Sequence, residues 1–283
     1  MALLLLVSFI WAFSFGLIKG RLAGVDPTAV ATMRLGLALL VFLPWFRPRR
    51  LPLRLAVQLA ALGAVQFGVM YLLYQRAFVY LPAYAVVLFT LTTPLYVTFA
   101  DALVERRLLP RYAVAALFAL FGGGVVVLNG SLHGDLLTGF LLMQTSNVCF
   151  AAGQIAWRRL RPKFPPDTSD ASLFALPFAG ALAASFLGSL FTTDWAALHL
   201  AMSQAGVLVY LGVLSSGACF FWWNHGATRV NAGTLAVFNN VKVPLGVACS
   251  LVFFGESADL FRIACGGMLM VFGVWIAEGW SRI

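Results

Sequence analysis

The chain has 283 residues, of which 61 % are hydrophobic and only 10 % charged, with a mean hydropathy of +0.92. A soluble domain carries about 25 % charged residues, so this composition excludes one and predicts a polytopic membrane protein. The formal net charge of +9 does not point to nucleic acid, because the basic residues fall in short connections between apolar runs, as the positive-inside rule expects.

In chain order, ten apolar segments can be cut out, at approximately 2–20, 28–46, 55–77, 83–104, 110–129, 136–157, 171–192, 204–226, 232–254 and 260–279. Turn and breaker residues separate them, among them Asp26-Pro27, Leu81-Pro82, Pro110, Asn129-Gly130, Pro165-Pro166 and Asn231. Barrel strands would be about ten residues long with alternating polarity, so the expected class is all-α integral membrane. The first run lacks a basic leader and an Ala-x-Ala site, so Ala2–Gly20 reads as a retained helix rather than a cleaved signal. The cysteines (Cys149, Cys219, Cys249, Cys265) sit inside apolar runs without paired spacing and read as small core residues. His133, His199 and His225 fall in or near connections, far apart. No metal and no cofactor are expected.

Ten spans with the N-terminus inside place Arg47, Arg49, Arg50, Arg54, Arg106, Arg107, Arg111, Arg158, Arg159, Arg161, Lys163, Arg229 and Arg282 on the inner side. Lys19, Arg21, Arg76 and Arg262 fall on the outer side. This asymmetry predicts both termini in the cytoplasm, at a bacterial-type inner membrane. The two remaining cations, Arg34 and Lys242, lie within spans.

The ninth segment carries Asn239, Asn240, Lys242 and Pro244 near its middle. Lys242 lies roughly 15 Å from either interface at about 1.5 Å per residue, too deep to snorkel, so its ammonium must face a partner or a wet cavity. Pro244 breaks a helical hydrogen bond beside it.

The second half repeats the first. Arg111–Gly122 (RYAVAALFALFG) matches Arg262–Gly273 (RIACGGMLMVFG), Glu105 matches Glu256, Leu62-Gly63 matches Leu211-Gly212, and Pro94 matches Pro244. A unit of five spans inverts its copy, and inverted repeats are a transporter signature with a site near the midplane. The expected division is residues 1–130 and 131–283, two inverted five-helix repeats around a central cavity. Helices five and ten, lined with small residues, are assigned to packing or to a dimer contact; a monomer or weak homodimer is expected.

Each half resembles the EamA repeat of the drug/metabolite transporter superfamily. The resemblance rests on Arg34 in the second helix, on Thr93-Pro94, Glu105 and Gly122-Gly123-Gly124, and on their echo in Val243-Pro244, Gly255-Glu256 and Gly266-Gly267. Helix seven has no counterpart to Arg34. More narrowly, the chain is similar to exporters of aromatic amino acids of the YddG type. The resemblance implies ten helices around a central cavity, export from the cytoplasm and no ATPase subunit.

Helical spacing supplies candidate cavity residues independently. Helix nine gives Phe238, Asn239 and Lys242; helix four gives Thr90 and Thr93; helix three gives Gln66, Met70 and Tyr74. Helix one gives Ser8, Trp11, Ser14 and Phe15, and helix eight gives Ser215, Ser216, Cys219, Trp222 and Trp223. Helix six adds Gln144, Asn147 and Gln154. Pro94 and Pro244 are the expected gating hinges. Arg34 reads as a structural or gating ion-pair partner near the outer end of helix two.

Amides, hydroxyls, aromatics and one cation suit an amino acid with an apolar or aromatic side chain, Lys242 meeting its carboxylate. The partners expected are thus a small-molecule substrate and the lipid bilayer, without nucleic acid. The alternatives are a permease for organic anions or sugar phosphates, an intramembrane enzyme, or a channel. Phosphate usually requires several cations. An enzyme would need a His/Asp cluster or a Ser–His pair at membrane depth, and a channel a pore-lining ring; neither is visible.

Overall fold

The computed structural model describes residues 2–47, 51–104, 106, 110–127, 134–165, 168–229 and 232–279. Glu105, Asn129, Gly130, Asn231 and Arg282 lie outside them, as does the expected boundary between the halves. All regular structure among the described residues is helical. Each of the ten apolar segments finds a helix: α1 (Ala2–Arg21), α2 (Pro27–Phe42), α3 (Leu53–Tyr80), α4 (Ala83–Val104), α5 (Arg111–Val127), α6 (Gly134–Leu160), α7 (Asp170–Thr192), α8 (Met202–Ala227), α9 (Ala232–Phe253) and α10 (Leu260–Gly279). Seven of these helices are long and apolar enough to cross a membrane; Phe238–Phe253 and Leu260–Ile276 form shorter apolar stretches. The chain is a multi-pass membrane protein.

Local sequence explains several ends. Asp26 caps α2, its carboxylate accepting the Ala29 N–H at 2.7 Å, and Pro27 follows at the first helical position, where its missing N–H costs nothing. Pro82 fills the turn before α4. The first two amides of α4 donate to a carboxylate from far along the chain: Glu256 accepts from Ala83 N at 2.7 Å and from Tyr84 N at 3.0 Å. A carboxylate at a helix N-terminus is favoured by the helix dipole.

Three helices depart from regular α geometry, all beside the core. In α3, residues Ala64–Val69 form a π-turn; in α8, Tyr210–Ala218 do the same. Helix α4 tightens to a 3-10 turn at Thr90–Thr92, just before Pro94.

The helices pack in matched pairs. α5 lies along α10, α2 along α7, α1 along α9 and α4 along α6. α3 packs on α6 and α7, and α8 packs on α1 and α2. Close approach depends on missing side chains. A Cβ on Gly63 would lie 1.9 Å from the Pro177 carbonyl oxygen, and one on Gly122 would lie 2.5 Å from that of Gly266. The small residues of α5 and α10 thus pack against each other within the chain.

Candidate functional site

Helices α1, α2, α3, α4, α6, α8 and α9 enclose a central cavity of about 550 Å³ of atom-free space, its mouth included.

Lys242 reaches this cavity from α9 and is only 5 % exposed. Its Nζ donates to Asn239 Oδ1 at 3.0 Å, three residues back on the same helix, and lies 5.3 Å from the centroid of the Trp11 ring. An ammonium has three protons, and a single amide oxygen uses one of them. Trp11, from α1, donates its indole N–H to the Ser215 carbonyl at 2.9 Å. Around it stand Phe150, Phe220 and Trp223, with centroids at 6.3, 5.1 and 5.2 Å. Ser14 donates to Ser215 Oγ at 3.0 Å or to the Ile10 carbonyl at 2.7 Å. The π-turn of α8 thus offers both polar atoms of Ser215 to α1.

A second cation faces the same space. Arg34, on α2, is 1 % exposed. Its Nη2 donates to Tyr71 Oη at 2.9 Å and its Nε to Ser216 Oγ at 3.2 Å. Tyr71 and Ser216 are themselves bonded at 2.9 Å, and Ser216 donates to the Leu211 carbonyl. The guanidinium carbon lies 4.6 Å from the Tyr71 ring centroid. Nη1 has no partner among the described residues. The guanidinium is thus held by neutral hydroxyls and a ring face, with no acidic group among these partners. Two buried cations therefore meet a wall that contains no carboxylate among the described residues.

The opposite wall is built on the 3-10 turn of α4. Asn147 donates to the Phe89 carbonyl at 2.8 Å and to Thr92 Oγ1 at 3.1 Å. Gln144 Oε1 accepts from Thr92 at 2.7 Å and from Tyr96 at 3.0 Å. These bonds hold the irregular turn, leaving Thr90 and Thr93 on the cavity wall. From α6, Met143, Ser146 and Phe150 join Asn147 on one face.

Of the residues expected from helical spacing, Lys242, Met70, Tyr74, Trp11, Ser14, Phe15, Thr90, Thr93, Asn147 and Ser215 line the cavity together. Others do not: Gln144 and Gln154 are buried within α6, Ser8 in α1, and Ser216, Cys219 and Trp223 in α8, and four further candidates lie elsewhere. Asn239 is buried behind Lys242 and touches the cavity only through it. Gln66 is fully buried against α8, its amide donating to Asn224 Oδ1 at 3.3 Å. Phe238 is half-buried, its carbonyl accepting from Ser8 at 3.0 Å. Trp222 is half-buried at the edge of the core; its neighbour Trp223 is the indole that packs on Trp11. Pro94 is buried after the turn of α4, whereas Pro244 is exposed on the outer face of α9. Arg34 corrects its expected placement, since it stands eight residues into the sixteen of α2, in the cavity wall, and its hydrogen bonds go to the hydroxyls of Tyr71 and Ser216. Tyr71, Met143, Ser146, Phe150 and Phe220 also line the cavity and were not among the expected ligands. Among the described residues no group of three or more His, Cys, Asp or Glu could hold a metal.

A family model described as the EamA-like transporter family matches residues 1–129 and again residues 137–278. A "Probable biotin transporter" of Pseudomonas aeruginosa is 41 % identical over 277 residues, covering 98 % of this chain and 96 % of the relative. A "Biotin transporter" of Escherichia coli K12 is 37 % identical over 282 residues, covering 99 % and 93 %. One of Salmonella typhimurium is 36 % identical over the same length and coverage. A solved crystal structure aligns with a TM-score of 0.67 and 20 % identity, over 99 % of this chain and 97 % of its own, and so shares the fold.

Proposed function

The chain belongs to the EamA-like transporter family, and from that premise we propose that it is an inner-membrane secondary transporter of biotin. The observation that carries the reading is the pair of buried cations, Arg34 and Lys242, on a cavity wall without a carboxylate among the described residues. Such a site is complementary to an organic monoanion. Biotin presents one carboxylate on a flexible alkyl arm, a fused apolar thioether ring and a ureido group. Lys242 and the free edge of Arg34 receive the carboxylate. Trp11, Phe150 and Phe220 surround the ring system. Asn147, Thr93 and Ser14 are placed to meet the ureido N–H and C=O groups.

The aromatic amino acids expected from the sequence fit less well. Their ammonium group would enter a cavity that already holds two positive charges, and the relatives are named for biotin. The enzyme reading falls, because the family and the relatives are transporters.

Transport proceeds by alternating access between two inverted five-helix halves, residues 1–130 and 131–283, with both termini cytoplasmic. This is supported by the two separate matches to one family model. It is also supported by the pairing of α1 with α9 against that of α6 with α4, and by π-turns in both α3 and α8. Pro94 and Pro244 act as hinges beside the site, and net movement follows the substrate gradient.

Growth of a biotin-requiring bacterial host that lacks its own uptake route tests the reading. Expression of this chain should restore growth at low external biotin, and Lys242→Ala should not. Absence of growth with wild-type protein inserted in the membrane would overturn the substrate assignment.

A further inference from the structure

Beyond the central cavity, a second concavity opens at the end of the molecule where Lys19 lies. It holds about 860 Å³ of atom-free space, open solvent included, between the end of α1, the start of α2 and the end of α3. Its wall is mostly apolar, with Ile18, Val30 and Phe78 among its residues. Two polar side chains in it stand out. Lys19 is half-buried, and its Nζ donates to the Phe78 carbonyl at 2.7 Å. Gln75 is 2 % exposed, and its Nε2 has no hydrogen-bond partner among the described residues. A buried donor left unpaired is costly, so Gln75 Nε2 is a donor available to a bound acceptor. Among the described residues Asp26 is the one carboxylate lining the groove, and it is engaged by Ala29 N at 2.7 Å and by the Thr193 hydroxyl at 2.6 Å. Glu256, which attracts Lys19 from outside the groove, is held by Ala83 N, Tyr84 N and the Ser250 hydroxyl.

The groove adjoins the central cavity. Phe15 and Tyr74 line the cavity, while Ile18 and Phe78, one helical turn further along the same two helices, line the groove. Between the two spaces the rings interlock, Phe15 on Tyr74 at 6.0 Å and Tyr74 on Phe78 at 5.1 Å, both edge to face. Lys19 therefore holds the carbonyl of a residue that belongs to this barrier.

We propose that this groove is an entry site for the transported carboxylate, with Lys19 and Gln75 as its polar contacts and the Phe15–Tyr74–Phe78 cluster as the barrier to the central cavity. The inference rests on the reading of the substrate as an organic monoanion. A carboxylate is a stronger acceptor for an ammonium than a neutral carbonyl, because charge-assisted hydrogen bonds are roughly twice as strong. An arriving carboxylate takes Lys19 from Phe78, accepts from Gln75 Nε2, and frees the last turn of α3. Arrival is thereby linked to loosening of the barrier.

The test uses initial rates of labelled biotin transport against concentration, measured from each face in right-side-out and inverted membrane vesicles. Lys19→Met and Gln75→Leu should each raise KM about tenfold from the Lys19 face and leave KM from the opposite face unchanged. Lys19→Arg should restore the wild-type value, which a purely packing role would not require. An unchanged KM on both faces, or an equal rise on both, overturns the entry site. Wild-type vesicles that carry no biotin from either face overturn the substrate reading and the entry site together. Wild-type transport without the one-sided effect overturns the entry site alone.

Discussion

Replacing Lys242 with methionine removes the charge while keeping most of the side-chain volume. In the free protein the ammonium gains one amide hydrogen bond at 3.0 Å and one ring contact at 5.3 Å. These offset only part of its desolvation, so an apolar residue of similar shape should leave thermal stability unchanged or slightly raised. Binding is a different matter. A hydrogen bond to a charged group contributes about 1.5–3 kcal/mol, and every 1.4 kcal/mol is about a factor of ten in affinity. Lys242→Met should therefore weaken biotin binding about 10- to 100-fold in purified, folded protein, read by equilibrium binding of labelled biotin. Biotinamide, which lacks the negative charge, should lose far less. Equal losses for biotin and its amide would refute the pairing of Lys242 with the carboxylate, and so would full affinity in the variant.

Arg34→Lys should lower transport by at least an order of magnitude in a vesicle assay, because a compact ammonium lacks the planar fork that bonds Tyr71 and Ser216 and still presents a bidentate edge to an anion. Pro94→Ala and Pro244→Ala should each slow transport more than they weaken binding; equal losses in both assays would make the prolines shape the site rather than move it. Asp170 sits in the first turn of α7, paired with both Arg161 and His225. Asp170→Asn leaves the Arg161 guanidinium and the His225 ring facing a neutral amide and should destabilise the protein by about 1–3 kcal/mol, seen as a lower melting temperature with unchanged biotin affinity.

The helices were legible in the sequence because each apolar run is bounded by proline, glycine or charge, and because only helices satisfy the backbone inside a bilayer. Lys242 was legible for the same reason, as a charge at a depth where charges are rare. Arg34 gave an equal signal, since it stands midway along α2, but its partners come from α3 and α8 and no local pattern announces them. The face of α6 that carries Met143, Ser146 and Phe150 was hidden by composition. Lipid and protein interior are both apolar, so a 3.6-residue period does not separate the two sides as it does in water. The misplaced candidates on α3 and α8 have a shared geometric cause. Gln66 lies within one π-turn and Trp222 lies just beyond the other. A π-turn rotates successive residues less than an α-turn does, so a stripe projected with α spacing drifts off the cavity face. That drift separates Gln66 from Met70 and Tyr74, and of the two tryptophans expected on α8 it sets Trp223, and not Trp222, against Trp11.

The central claim is that this chain carries an organic monoanion of the biotin type through the Arg34–Lys242 cavity. Counterflow tests it most directly: proteoliposomes are preloaded with unlabelled biotin, and entry of labelled biotin is followed. The account predicts a protein-dependent overshoot that unlabelled biotin outside suppresses and phenylalanine does not. No biotin overshoot, with a phenylalanine overshoot that tryptophan suppresses in parallel vesicles, would contradict it and return the cavity to the aromatic amino acids.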